Sequence, residues 1–297
     1  MPCTFCRKCR KFRKLHIITK NIKGLIFLNK PSKVAVIGGD KRCAVCAELL
    51  AKSGVETAVF GLEKCVLTYA TKAASVADAV GDGDAVILPL PVMSDSARIF
   101  APLSDEKVPL SEVVENISEK AVIFAGNPQK CFFSAIESAG LCNEVVNYAA
   151  SELFAILGSV PTAEGAIIEA INATGKTVFS SRVLVAGFGR VGKQLSSLLK
   201  AMNADVTVTA RRPTDLAAIK VFGMAAEKTG DIAKLPDQFD VVFNTVPAPV
   251  FDEKTLMALK GSPVIIELAS KPYGAGFKRK KGAAVRPFVE SLFMKVF

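Results

Sequence analysis

From Lys33 onward, short apolar runs alternate with segments whose apolar residues recur at helical spacing. Val34 to Ile37 reads as a strand that ends in Gly38-Gly39-Asp40. Ala44, Ala47, Leu49 and Leu50 then mark a helix from Cys43 to Ser53, closed by Gly54, and Glu56 to Phe60 reads as the next strand. Ala85 to Leu88 and Ala121 to Ala125 are further strands, ending in Pro89-Leu90-Pro91 and Gly126-Asn127-Pro128. The same pattern restarts at Val183 to Ala186, followed by Leu195, Leu198, Leu199 and Met202 on a helix and by a strand from Asp205 to Thr209. Val241 to Phe243 and Val264 to Ile266 complete the set, leading into Asn244-Thr245-Val246-Pro247 and Ala269-Ser270-Lys271-Pro272. Short, continuously apolar strands between helical patterns are buried on both faces, which predicts parallel sheets.

The pattern predicts an α/β protein with two Rossmann-like domains, parallel sheets and an interdomain cleft. Residues 1–32 form a basic, Cys-containing arm, 33–150 a substrate-binding and catalytic domain, and 151–297 a linker helix plus a dinucleotide-binding domain. The linker helix is placed at Ala166 to Ala173, opened by Pro161-Thr162-Ala163-Glu164-Gly165. Thr162 is its expected N-cap, with Glu164 in a first turn where the helix dipole favours an acid.

Chemistry concentrates at Gly187-Phe188-Gly189-Arg190-Val191-Gly192, between a strand and a helix. In such a fingerprint the first glycine permits a tight turn, the second lets a pyrophosphate approach the backbone, and the third lets helix and strand pack closely. The next strand ends in Ala210-Arg211-Arg212, where NAD-binding units usually carry an acid for the ribose 2′-hydroxyl. Two guanidiniums suit a 2′-phosphate instead, so NADP is the expected cofactor. Thr245, Val246 and Pro247 lie where the nicotinamide half is expected.

Charge and composition narrow the classes. The chain has 297 residues, half of them hydrophobic, and a net charge of +10. Ten basic residues and no acid fall between Arg7 and Lys33; the remaining 28 basic residues match the 28 acids, so the excess is a property of the arm. Such an arm suits nucleic acid, anionic lipid or an acidic partner, or has no essential role; little else supports nucleic-acid binding. Leu25 to Leu28 is too short for a signal peptide, and no apolar run approaches the ~18 residues of a membrane span. Cys3, Cys6 and Cys9 are spaced like part of a metal site but sit among basic residues, and no metal is expected. Cys43 and Cys46 lie near a helix start, where a thiol pKa can fall, although packing is their expected role. Nothing suggests a disulfide framework, so a cytoplasmic protein is expected. The single histidine, His16, lies in the arm, which excludes a Ser–His–Asp triad and a His acid–base in the body.

Gly38-Gly39-Asp40-Lys41-Arg42, Pro161-Thr162-Ala163-Glu164-Gly165, Gly187-Phe188-Gly189-Arg190, Ala210-Arg211, Asn244-Thr245-Val246-Pro247-Ala248 and Leu268-Ala269-Ser270-Lys271-Pro272 together resemble the A-type subunits of bacterial dipicolinate synthases. The likeness runs from about Lys33 to the C-terminus, where a Pro-Gly turn and a final helix of the family are missing. It implies an NADP-dependent oxidoreductase that acts on ring carbons and converts dihydrodipicolinate to dipicolinate in the mother cell of a sporulating bacterium. The flavoprotein-like B-type subunit of dipicolinate synthase is the implied partner, and a homo-oligomer is expected. The alternative is a non-catalytic NADP-binding subunit supporting that flavoprotein. Asp40, Arg42, Thr162, Glu164, Ser270 and Lys271 are the candidate catalytic residues. Arg42 and Lys271 would meet substrate carboxylates, and Thr162 and Ser270 would donate hydrogen bonds.

Overall fold

In the computed structural model the described residues are 31–235, 238–259 and 261–269, with the backbone of 285–287. The cysteines and His16 of the arm, Ser270, Lys271 and the altered C-terminal segment lie outside the described residues. The chain divides into two compact units, 1–154 and 155–296.

The first unit holds β1 (Lys33–Ile37), α1 (Lys41–Lys52), β2 (Glu56–Phe60), β3 (Thr71–Lys72), α2 (Val76–Val80), β4 (Ala85–Ile87), α3 (Leu110–Asn116), β5 (Val122–Ala125), α4 (Lys130–Ser138) and β6 (Val145–Asn147). Its strands form one parallel sheet in the order β3-β2-β1-β4-β5-β6. A 23-residue helix, α5 (Glu152–Thr174), follows. The second unit repeats the plan with β7 (Arg182–Ala186), α6 (Arg190–Ala201), β8 (Asp205–Ala210), α7 (Pro213–Val221), β9 (Ala225–Lys228), β10 (Val241–Asn244), α8 (Glu253–Ala258), β11 (Val264–Glu267) and β12 (Val285–Pro287). Its sheet runs β12-β11-β10-β7-β8-β9, again parallel. Both orders are the 3-2-1-4-5-6 arrangement of a dinucleotide-binding fold.

Alternate residues of each central strand enter cores on opposite faces, as the two-residue period of a strand requires. Ala35 and Ile37 pack with Leu88 and Ile123, while Val36 packs with Ala44, Ala47 and Val59 beneath α1. In the second unit Val183 and Val185 meet Leu195, Leu199 and Phe243, while Leu184 and Ala186 meet Val242, Ile265 and Phe251. This two-sided burial is why these strands read as unbroken apolar runs.

The expected linker helix is corrected in one respect: α5 begins 14 residues before Ala166, at Glu152, and Pro161 lies inside it. Proline supplies no N–H to the carbonyl four residues back and bends a helix there. Two hydroxyls bond carbonyls on either side of the one Pro161 leaves without its donor, with Ser159 Oγ donating to the Ile156 carbonyl at 2.6 Å and Thr162 Oγ1 to that of Gly158 at 2.8 Å. Thr162 is therefore no N-cap, and exposed Glu164 sits in mid-helix rather than in the first turn. By length and composition α5 also passes the test for a membrane span, contrary to the expectation that no segment does. Its Ala163, Ala166, Ile167 and Ala170 pack in the core of the second unit.

Candidate nucleotide site and the strand-end cluster of the first unit

Open α/β sheets take ligands outside the carboxyl ends of their strands, where the strand order reverses. In the second unit that point lies between β7 and β10, and the glycine fingerprint occupies it. Gly187 has φ +100°, and a Cβ there would lie 2.6 Å from Thr245 Oγ1. A Cβ on Gly192 would lie 2.2 Å from the Gly187 carbonyl oxygen, so the first turn of α6 can close on β7 only without a side chain. Gly189 differs: it is the N-cap of α6, no side chain caps that helix end, and nothing lies within 4 Å of its Cβ position. A helix N-terminus that no side chain caps, with open space before it, fits a pyrophosphate through its N–H groups and the helix dipole.

Phe188 can take part in the expected cofactor set only through its backbone. Its ring is buried in the core, with Lys193 Nζ 5.3 Å from its centroid, so only its backbone faces the turn. Arg190 is exposed and Val191 half-buried at the start of α6. Thr245 and Val246 are half-buried and Pro247 exposed in the loop after β10, and Thr245 Oγ1 donates to the Ala186 carbonyl at 2.8 Å. That bond ties the loop directly to the fingerprint strand.

The two arginines after buried Ala210 part company. Arg211 lines a cleft of about 350 Å³ together with Thr229, Gly230, Ile232, Pro249, Val250 and Thr255, with no acid among the described residues that line it. Arg212 is the N-cap of α7, and its guanidinium is already paired with Asp215 through Nε (2.8 Å) and Nη2 (2.9 Å). The hydrogen bond from Arg212 holds the Asp215 carboxyl below the usual carboxylate range.

Two buried residues end the neighbouring strands β10 and β11; Asn244 belongs to a strand-end motif of the sequence, but neither it nor Glu267 was assigned a role from it. Asn244 ends β10 beside Glu267 at the end of β11, in register with it, and both are buried. Asn244 Nδ2 donates to both oxygens of Glu267, at 3.1 and 2.9 Å, and the Ala269 N–H donates to Glu267 at 2.9 Å. Burial raises the Glu267 pKa, against the pull of these donors. The sequence signal was a polar residue closing each of two adjacent apolar strands.

In the first unit the strand order reverses between β1 and β4. Asp40, 5% exposed, caps α1 by accepting the Arg42 N–H at 2.9 Å. Arg42 also donates Nε and Nη2 to the Asp40 carboxylate, at 3.0 and 2.7 Å, and Nη2 to the Leu90 carbonyl at 2.9 Å. Burial works against the Arg42 charge, but hydrogen bonding and attraction from Asp40 outweigh it and raise its pKa. The expectation of a guanidinium offered to substrate is thus qualified: Asp40 and a strand-end carbonyl hold it. Tyr148, unnoticed in the sequence, donates its hydroxyl to the Leu88 carbonyl at 3.0 Å, and burial pushes its pKa up. Burial, reinforced by Asp40, pushes the Cys43 thiol up to about 12, opposite to the depressed pKa a helix start can give. Thr162 and Glu164 lie on α5, where Thr162 gives its hydroxyl to the Gly158 carbonyl and Glu164 is exposed.

Residues 33–149 match the family model of the N-terminal domain of the dipicolinate synthase A-type subunit. Residues 160–270 match that of the NAD-binding domain of D-isomer-specific 2-hydroxyacid dehydrogenases. The A-type subunit of dipicolinate synthase from Bacillus subtilis is 28% identical over 249 residues, 83% of each chain. The crystal structure of its counterpart from Bacillus halodurans superposes with a TM-score of 0.76 at 27% identity, covering 89% of this chain and 93% of that one. That of the Bacillus subtilis protein gives 0.72 at 26%, covering 90% and 95%. The chain is thus similar over most of its length to the dipicolinate synthase A-type subunits, with one segment that matches their N-terminal domain and another that matches an NAD-binding domain of the dehydrogenase type.

Proposed function

We propose that the chain is an NADP-dependent oxidoreductase that converts dihydrodipicolinate to dipicolinate. The observation that carries the cofactor assignment is Arg211, which faces an acid-free cleft at the end of β8, where a 2′-hydroxyl-binding carboxylate would otherwise stand. A permanently charged planar fork suits the 2′-phosphate. Gly187, Gly189 and Gly192 would then seat the pyrophosphate, with Arg190 and Val191 opening α6, and Thr245, Val246 and Pro247 would hold the nicotinamide half.

The nicotinamide supplies the redox chemistry when bound, taking the hydride. The substrate ring loses that hydride and one proton, which passes to water, and becomes aromatic. An aromatising oxidation needs no strong base, consistent with a body that has no histidine. The protein's work is to bind a dicarboxylate and orient a ring carbon. We assign Arg42 as a carboxylate partner, with its guanidinium plane set by Asp40 and the Leu90 carbonyl. Ser270 and Lys271, which lie outside the described residues, remain further candidates for substrate contact. The relatives are named as one of a synthase's subunits, which supports a second, different subunit as partner. We place the reaction in the cytoplasm of a sporulating cell.

Calorimetric titration of the full chain tests the cofactor assignment. NADP is expected to bind at least about tenfold, or ~1.4 kcal/mol, more tightly than NAD, and Arg211→Ala to remove that margin. Equal affinities, or an unchanged Arg211→Ala protein, would overturn it.

A further inference from the structure

We infer that Glu267 is a positioning residue for the nicotinamide half of the dinucleotide, acting through Asn244; this rests on the cofactor reading above. With the pyrophosphate at the α6 N-terminus and the 2′-phosphate side at Arg211, the remaining side of the switch point is bounded by the ends of β10 and β11. Both strands end in a buried polar side chain, and those two side chains bond each other.

The pairing is directional. A carboxylate only accepts hydrogen bonds, so Glu267 obliges Asn244 to turn Nδ2 toward it. The Asn244 carbonyl oxygen Oδ1 is thereby left facing the loop, where it accepts the Val246 N–H at 3.1 Å. Glu267 takes the Ala269 N–H in the same way, so one carboxylate sets the start of both loops. The consequence reaches the fingerprint, because Thr245 bonds the Ala186 carbonyl and crowds the Cβ position of Gly187. A glutamine at 267 would turn a donor amide toward the Asn244 amide, and Asn244 would lose its fixed sense.

An apolar pair at these positions would fill the strand ends without burying a carboxylate, which is a costly group to desolvate. What the polar pair adds is a fixed loop course on one half of the ligand. The two halves of the dinucleotide therefore respond differently to its loss.

The test titrates the full-length protein, Glu267→Gln and Asn244→Ala with NADP and with adenosine 2′,5′-bisphosphate, which carries only the Arg211 half. Either variant that folds decides the matter, since comparing two ligands on one protein cancels any general loss of native structure. NADP affinity is expected to fall about tenfold, while that of the bisphosphate stays within about twofold. Equal weakening of both ligands, or no weakening of either, would overturn the role of Glu267. A wild-type chain that binds neither ligand would overturn the cofactor reading itself, and this inference with it.

Discussion

Adding one methyl group at Gly189 and at Gly192 separates the two jobs of the fingerprint. At Gly192 the new Cβ would lie 2.2 Å from the Gly187 carbonyl oxygen and 2.9 Å from its carbon, where ordinary contact begins at 3.4 Å. The obstacle is backbone in a turn already bonded from the Gly187 N–H to the Thr209 carbonyl at 3.0 Å, so α6 must retreat by more than an ångström. Overpacking of this kind costs about 3 kcal/mol, and the better helix propensity of alanine returns about 1, leaving a net loss of about 2 kcal/mol. At Gly189 the Cβ meets nothing within 4 Å and φ is −79°, an ordinary value for any residue. Alanine is a poorer N-cap than glycine, so Gly189→Ala should cost about 0.5–1 kcal/mol, still below the loss at Gly192. Its methyl would instead occupy the space before the α6 N-terminus and weaken NADP about tenfold, or ~1.4 kcal/mol. Urea unfolding without nucleotide, paired with calorimetric NADP titration, reads both quantities. A Gly189→Ala protein that binds NADP like wild type, or a Gly192→Ala protein of wild-type stability, would show that the two glycines do not divide the work in this way.

Arg212→Ala should weaken NADP by less than about threefold, well short of Arg211→Ala, because Asp215 already holds the Nε–Nη2 edge of that guanidinium; equal losses in the two titrations would contradict the division of roles. Asp40→Ala removes the α1 cap and leaves Arg42 without its carboxylate, for an expected loss of about 2–4 kcal/mol in urea unfolding. For Cys43 the native pKa is raised from 9.0 to about 12, so the unfolded chain sheds this proton first as pH rises. The stabilisation is complete below pH 9.0 and is lost between there and about 12, at up to ~1.4 kcal/mol per pH unit. Cys43→Ala should flatten that alkaline decline, and an unchanged slope would argue against the raised pKa.

The central strands were legible in the sequence because both their faces are buried, which leaves an unbroken apolar run for each. Edge strands such as β3 (Thr71–Lys72) and β9 (Ala225–Lys228) were not, since their exposed, polar residues carry no such signal. The extent of α5 was hidden by Gly158 and Pro161, which read as a break until Ser159 and Thr162 are seen bonding carbonyls around it. Glycine roles at 187 and 192 followed from local spacing. The opposite fates of Arg211 and Arg212 did not, because they depend on Asp215, one helical turn farther on. The Asn244–Glu267 pair and the bond from Tyr148 to Leu88 join residues distant in sequence, and only strand order and register bring them together.

An assay that follows NADPH and dipicolinate together bears most directly on the oxidoreductase assignment. Dihydrodipicolinate and NADP are supplied to the full chain, alone and with the proposed flavoprotein-like partner. NADPH and dipicolinate are expected in equal amounts, with loss of both on Arg211→Ala at limiting NADP. Dipicolinate formed only with the partner and without NADPH would contradict the assignment, and would mark the chain as a nucleotide-binding support rather than the oxidising component.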